Sequence, residues 1–415
     1  MIISDFLSLF QTDFYREVWR IVASTWPLWS PMFFLWLFMH TWINYKRRDW
    51  LKKTGYILLE IRIPQNTEKS PAAMEMVLDG IWEDVISSIT GAYLYGHARD
   101  VFSLEIASIG GQVKFFIWAF PKWKHVIESR IYNHYPGAEV VEAEDYATKI
   151  IFDPKTMNLS GITTRLTKPD IYPIKTYVDF GLDKTDKEQE QIIDPLTPIL
   201  EYLGTLKPGE NQWIQILIQG HRKESFQDIR LFTKPDWKEN IKDEIEKFIK
   251  KESFIEAEKG KPPSLLNLTK TQNETINAIE RNAAKLAFNT MFRMVYVAPK
   301  EISVSRTVGI IGAMRQLGSR TLLNGIRPHR FIPGIVYPWE DVFDIKRIYR
   351  QKTLLEAYKR RSVFNPPFKN VFGKPYVLTT EELATIFHFP GATATTPTLV
   401  RVSSKKAEAP SNLPV

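Results

Sequence analysis

The chain has 415 residues, enough for two or three domains that each bury a core, and with 44% hydrophobic residues it is not a disordered polypeptide. It has no cysteine, which excludes disulfides, thiol catalysis, zinc knuckles and cysteine-held iron–sulfur clusters. A formal charge of +8 is mild for this length and by itself selects neither nucleic acid nor anionic lipid.

In chain order, residues 1–20 carry Ile2, Phe6, Phe10, Phe14 and Val18 at four-residue spacing, the stripe of an amphipathic helix lying in the membrane interface or against a partner. Residues 21–45 follow without a formal charge, and 25 residues of helix are long enough to cross a hydrocarbon core, so a transmembrane helix is predicted there. Pro27 and Pro31 fall in its first turns. A cleaved signal peptide fits less well, because Asp5, Asp13, Arg16, Glu17 and Arg20 precede the apolar run and the basic cluster follows it. Trp19, Trp26, Trp29, Trp42 and Trp50 are the expected interfacial anchors. Segment 46–55 is a basic juxtamembrane stretch, in which Lys46, Arg47, Arg48, Lys52 and Lys53 are expected to meet lipid headgroups. These bases, set against Arg16 and Arg20 before the span, predict a single-pass protein of the cytoplasmic membrane with its C-terminal bulk in the cytoplasm.

The rest reads as an α+β chain of two ferredoxin-like (βαββαβ) α/β sandwich domains. The first, 56–150, has a strand at 56–63, a helix at 72–87 entered through Ser70 and Pro71, strands at 101–108 and 113–119 joined at Gly110-Gly111, a helix from Pro121 to about 132, and a strand at 138–144. The second, 170–335, is expected to hold strands at 174–180, 213–219 and 288–297, helices at 188–203 and 303–317, and a helical insertion at 221–286. The charges at 238–261 alternate in sign at helical spacing, as on a solvated helix. In 336–390, a C-terminal helical region, Thr379 and Glu382 have capping-box spacing between two Pro-containing turns, and Glu381, Leu383, Phe387 and Phe389 are expected to form a partner-docking edge. The tail 391–415 is rich in Thr, Ser, Ala and Pro, a flexible arm in which Lys405 and Lys406 are expected to meet a partner.

Catalytic signatures are missing. No G-x-x-x-x-G-K-S/T loop is present, and Gly309 and Gly312 lie in a helical pattern that suits close packing. No H-E-x-x-H pair and no G-x-S-x-G elbow occurs. Glu142, Glu144 and Asp145 read as solvated charges at a strand end. No catalytic residue, metal or cofactor is therefore expected.

The passages Ile57-Leu-Leu-Glu-Ile-Arg-Ile-Pro64, Glu68-Lys-Ser-Pro-Ala-Ala-Met-Glu75 and Leu378-Thr-Thr-Glu-Glu-Leu-Ala-Thr-Ile-Phe-His-Phe-Pro390 resemble the membrane-anchored N-terminal region of type IV secretion and conjugation-type ATPases of candidate-phyla bacteria. The ending Lys405-Lys-Ala-Glu-Ala-Pro-Ser-Asn-Leu-Pro414 is similar to the connector that leads into the motor in that family. The resemblance implies a non-enzymatic membrane platform for a RecA-like motor ATPase on a separate chain, and, since such motors are rings, a homo-oligomer. The motor domain would begin where this sequence stops. The alternative is a membrane-tethered nucleic-acid-binding module using Lys114, Phe116 and Trp118 on one strand face.

Overall fold

A computed structural model describes residues 13–64, 69–83, 88–183, 194–223, 236–239, 241–257, 268–299, 304–318, 323–334, 337–390 and 401–402. It divides into two compact units, Met1–Lys53 with Ser87–Ala98, and Thr54–Ile86 with Arg99–Val415.

The first unit is built on one helix, α1 (Asp13–Thr54), which continues through Pro27 and Pro31. The expected division into an interfacial helix, a span and a separate juxtamembrane segment is therefore corrected for residues 13–54, which form a single rod of roughly 63 Å at 1.5 Å per residue. Residues 1–12 lie outside the described residues. The middle of the rod exposes its apolar side chains, with Leu28 and Met32 each 76% exposed. Three of its hydroxyls bond to their own helix: Ser24 Oγ donates to the Ile21 carbonyl at 3.0 Å, Thr25 Oγ1 to the same carbonyl at 2.7 Å and Thr41 Oγ1 to that of Leu37 at 3.0 Å. A helix in lipid must meet that requirement, because no water is there to do so. Residues 88–98 complete the unit with a π-helical turn, Gly91–Tyr95.

The second unit is α+β. Among the described residues ten strands form one sheet: β1 (Ile57–Pro64), β2 (Phe102–Ile109), β3 (Gln112–Ala119), β4 (Glu139–Glu142), β5 (Met157–Leu166), β6 (Asn211–Gly220), β7 (Ala287–Pro299), β8 (Ile326–Ile332), β9 (Tyr376–Thr379) and β10 (Arg401–Val402). Neighbours are antiparallel except β1 with β10. Half of it runs β4-β1-β3-β2 and the other half β8-β5-β7-β6, so each half places its fourth, first, third and second strands side by side. β2 pairs with β6 from Phe102↔Ile218 to Ile109↔Asn211. The two expected domains are thus one continuous sheet.

Strand alternation sends Ile57, Leu59 and Ile61 of β1, Leu104 and Ile106 of β2, Phe115 and Ile117 of β3, and Ile214, Ile216 and Ile218 of β6 into one core. On that face lie α2 (Ala72–Ile81), α3 (Lys124–His134), α4 (Thr197–Gly204) and α7 (Val304–Met314), which carry buried Met74, Ile127, Leu200 and Ile310 into it. Between β6 and β7 lie α5 (Ile241–Ala257) and α6 (Lys270–Ala283), the latter opened by a Thr269/Gln272 capping box. The C-terminal region supplies α8 (Ile345–Lys359), β9 on the side of β7, and α9 (Thr380–Ile386).

The expected strand at 174–180 is not one. Three of its backbone N–H groups are taken by side chains, Ile174 by Glu382 at 2.9 Å, Thr176 by Asp179 at 2.9 Å and Tyr177 by Thr385 at 2.9 Å, and Lys175 and Phe180 donate to the Leu317 and Thr176 carbonyls. The first strand of the second half is instead β5, which apolar periodicity does not mark.

Candidate functional site

Two places carry unusual chemistry, the C-terminal end of α1 and the sheet face opposite the main core. On α1, Trp19, Trp26 and Trp29 are exposed, whereas Trp42 donates its indole N–H to the Tyr93 carbonyl at 3.0 Å and Trp50 lies 5.8 Å from the His97 ring. The basic cluster occupies the last turns of the same helix. Lys46 sits 4.9 Å over the Trp42 ring, Lys53 pairs with Asp49 at 2.9 Å, and Arg48 and Lys52 face outward. Arg47 is half-buried.

On the second face a row of paired positions crosses the sheet: Glu60 on β1, Phe116 on β3, Glu105 on β2, Gln215 on β6, Arg293 on β7 and Thr163 on β5. Glu105 is enclosed and accepts from Ser103 Oγ at 2.7 Å, Gln215 Nε2 at 2.6 Å, Tyr146 Oη at 2.8 Å, and Arg361 through Nε at 3.0 Å and Nη2 at 3.1 Å. Arg361 also grips Asp145, and both its ion-pair partners are almost without solvent. Arg293 donates to Gln215 Oε1 at 2.5 Å and to the Ala357 carbonyl at 2.7 Å, at the C-terminal end of α8. Two acids and two guanidiniums thus neutralise one another and fasten α8 to the sheet. Burial drives the Glu105 carboxyl up, but Arg361 outweighs it and holds it below the usual carboxylate range. Burial pushes Arg293 down to about 9, which leaves it charged at neutral pH. Burial also keeps the Tyr146 and Tyr358 phenols protonated. The reading of Asp145 as a solvated strand-end charge is corrected: it is inside, paired.

Beside this row opens a pocket of about 480 Å³ with Phe116, Tyr146 and Trp213 among its walls. Its rim charges are spent on each other, Lys114 with Glu60 at 3.3 Å and Lys149 with Glu144 at 2.8 Å. The proposed stacking face of Lys114, Phe116 and Trp118 is therefore covered: Phe116 stacks on Tyr146 at 4.9 Å and Trp118 packs between Tyr56 and Phe120.

Residues 39–401 match the family described as a domain of unknown function, DUF8128. The chain belongs to that family. The family's extent begins within α1 and ends in β10, so it takes in the end of the apolar helix together with the whole sheet. A search of curated proteins finds no match.

The family extent also contains the expected docking residues, and the structure moves them. Leu383, Phe387 and Phe389 are fully buried, with Phe387 and Phe389 edge-on to Phe115 at 5.8 and 5.4 Å. Glu381 accepts from Thr176 Oγ1 at 2.6 Å and Arg281 Nε at 3.1 Å. This segment closes the core, and a partner meeting the folded protein would touch none of these four side chains. Lys405 and Lys406 lie outside the described residues. Glu105, Arg293 and Arg361 are not among the residues expected from sequence. A charged residue at the centre of an otherwise apolar strand, as in FSLEIASI, is the available signal.

Proposed function

We propose that the chain is a non-enzymatic, single-pass membrane anchor and assembly platform, on which a RecA-like motor ATPase assembles in a type IV secretion or conjugation-like system. The observation that carries the membrane part is α1: its apolar middle is exposed over the length of a hydrocarbon core, and bases crowd its last turns. That bias supports a reading in which the body lies in the cytoplasm and Lys46, Arg47, Arg48, Lys52 and Lys53 meet the headgroups. The motor part rests on the resemblance of residues 57–64, 68–75 and 378–390. The strand order of the two halves supports reading them as duplicated ferredoxin-like units joined edge to edge.

The test is co-purification from membranes in mild detergent, comparing the full chain with one ending at residue 390. A P-loop ATPase recovered with the full chain alone supports the platform and assigns the tail as the joint. Recovery with neither rejects it, and salt-sensitive DNA binding by the purified protein would then bring forward the tethered nucleic-acid module.

A further inference from the structure

The segment 88–98 has no role in the sheet, and no motif in its sequence marks it. It folds against the end of α1. Ile43 of the helix is fully buried, Gly91 and Ala92 of the segment are buried, and the Trp42 indole is tied to the Tyr93 carbonyl at 3.0 Å. Gly96 lies so close that a Cβ there would stand 2.4 Å from the Lys46 carbonyl carbon. These contacts fall at residues 42–46, where the uncharged stretch of α1 gives way to its basic turns. Trp42 is about 6 Å of rise before Lys46.

Clamped at that level, the segment turns apolar side chains outward. Ile89 is 53% exposed, Leu94 55% and Tyr95 66%. From Ser88 to Gly96 it carries no formal charge. A soluble loop tip would be expected to show polar groups, whereas an interfacial element shows aliphatic residues and a Tyr, with its backbone turned into a compact helical coil.

We infer that residues 88–96 are a second membrane-contact element: a short wedge, fixed to α1, that inserts Ile89, Leu94 and Tyr95 into the headgroup and upper acyl region of the same lipid surface. The inference rests on the reading of α1 as a span. A single helix leaves rotation and depth free, and a wedge clamped to its end would set both.

The absence of cysteine makes the test direct. Single cysteines at Phe34, Leu94, Tyr95 and the exposed His125 are labelled with a nitrobenzoxadiazole dye in the full chain. The protein is reconstituted in phosphatidylcholine–phosphatidylglycerol vesicles containing doxyl lipids. The expected result is blue-shifted emission at Leu94 and Tyr95, quenched by doxyl near the headgroup and shielded from iodide, with Phe34 quenched by doxyl deep in the chain. If Phe34 is quenched but Leu94 and Tyr95 emit as His125 does and are quenched by iodide, the wedge is wrong and the span stands. If Phe34 itself stays in water, the span fails and the wedge with it.

Discussion

Arg361 stands in a left-handed backbone conformation, φ +46°, where a helix usually ends on glycine. Its N–H bonds to the Tyr358 carbonyl at 3.0 Å and that of Ser362 to Ala357 at 3.1 Å, the pairing of a Schellman cap. The side chain explains the exception: a glycine here would leave Glu105 and Asp145 buried without the guanidinium that bonds both. Arg361→Met is expected to destabilise the body by about 3–5 kcal/mol, measured as a shift in denaturant midpoint in detergent. A loss under about 1 kcal/mol would show that water reaches the two acids. Titration adds a second residue-scale prediction. Burial raises Glu382 to about 7 despite the N–H groups of Thr379 and Ile174, and its proton can bond Thr379 Oγ1, which itself donates to Asn282 Oδ1 at 2.5 Å. Burial disfavours charge on His388 as well, but Asp194 at 2.9 Å wins and raises it. Both groups hold protons more tightly when folded. The Glu382 contribution is complete below its unfolded value near 4.5 and is lost as pH climbs through about 7. That of His388 is complete below 6.5 and fades as pH rises through its raised folded value. Thermal stability is therefore expected to fall as pH rises from about 4.5 through about 7, Glu382 accounting for roughly 3 kcal/mol, and to fall further above 6.5 as His388 loses its proton. His388→Gln should flatten the upper part of the curve, and an unchanged slope would count against the His388–Asp194 pair.

At the scale of elements, the closest approach of 88–98 to α1 is at Gly96, with φ +75° and the Lys46 and Arg47 backbone within 2.4–2.7 Å of the place an alanine methyl would take. Gly96→Ala is expected to push residues 88–98 off α1, at a backbone cost of about 1–2 kcal/mol before the clash is counted. Chymotrypsin cleavage at Tyr93, Leu94 or Tyr95 in detergent should then accelerate, and unchanged protection would mean that the contact has slack. How far elements were legible from sequence follows from what satisfied their backbones. β2 and β3 were readable because alternation and Gly110-Gly111 act locally, and β1 because its apolar period is regular. β5, MNLSGITTRL, hides because it buries hydroxyls: Thr164 Oγ1 donates to the Phe292 carbonyl at 3.1 Å and Thr163 Oγ1 to that of Phe372 at 2.9 Å. Residues 174–180 mimic a strand because Ile174 and Tyr177 are core residues, yet the acceptors for their N–H groups arrive from α9, some two hundred residues on. The capping box at Thr379 was legible; that the helix it opens is buried on all sides was not, since burial is decided by partners distant in sequence. The same holds for Glu105 and Arg361, which are 256 residues apart.

For the whole second unit, the consequence is that its halves need each other. Separating β2 from β6 would strip eight paired positions and open an edge whose centre is Glu105. The first half would also lack Arg361, the only cation bonded to Glu105 among the described residues. Its core would be incomplete on the other face, where Phe387 and Phe389 fill the space beside Phe115, and Phe389 that beside Tyr135. The duplicated strand order suggests two domains, but the energetics describe one. Chains of residues 1–154 and 155–415 made alone are therefore expected to aggregate in mild detergent, and made together to recover a soluble complex. A chain ending at residue 390 keeps every one of these contacts and loses only β10 from the described structure, so it should remain folded. Size-exclusion profiles of the four preparations decide the matter: a monodisperse, cooperatively melting 1–154 would show that the first half carries a complete core, and the shared sheet would then be an interface between two domains after all.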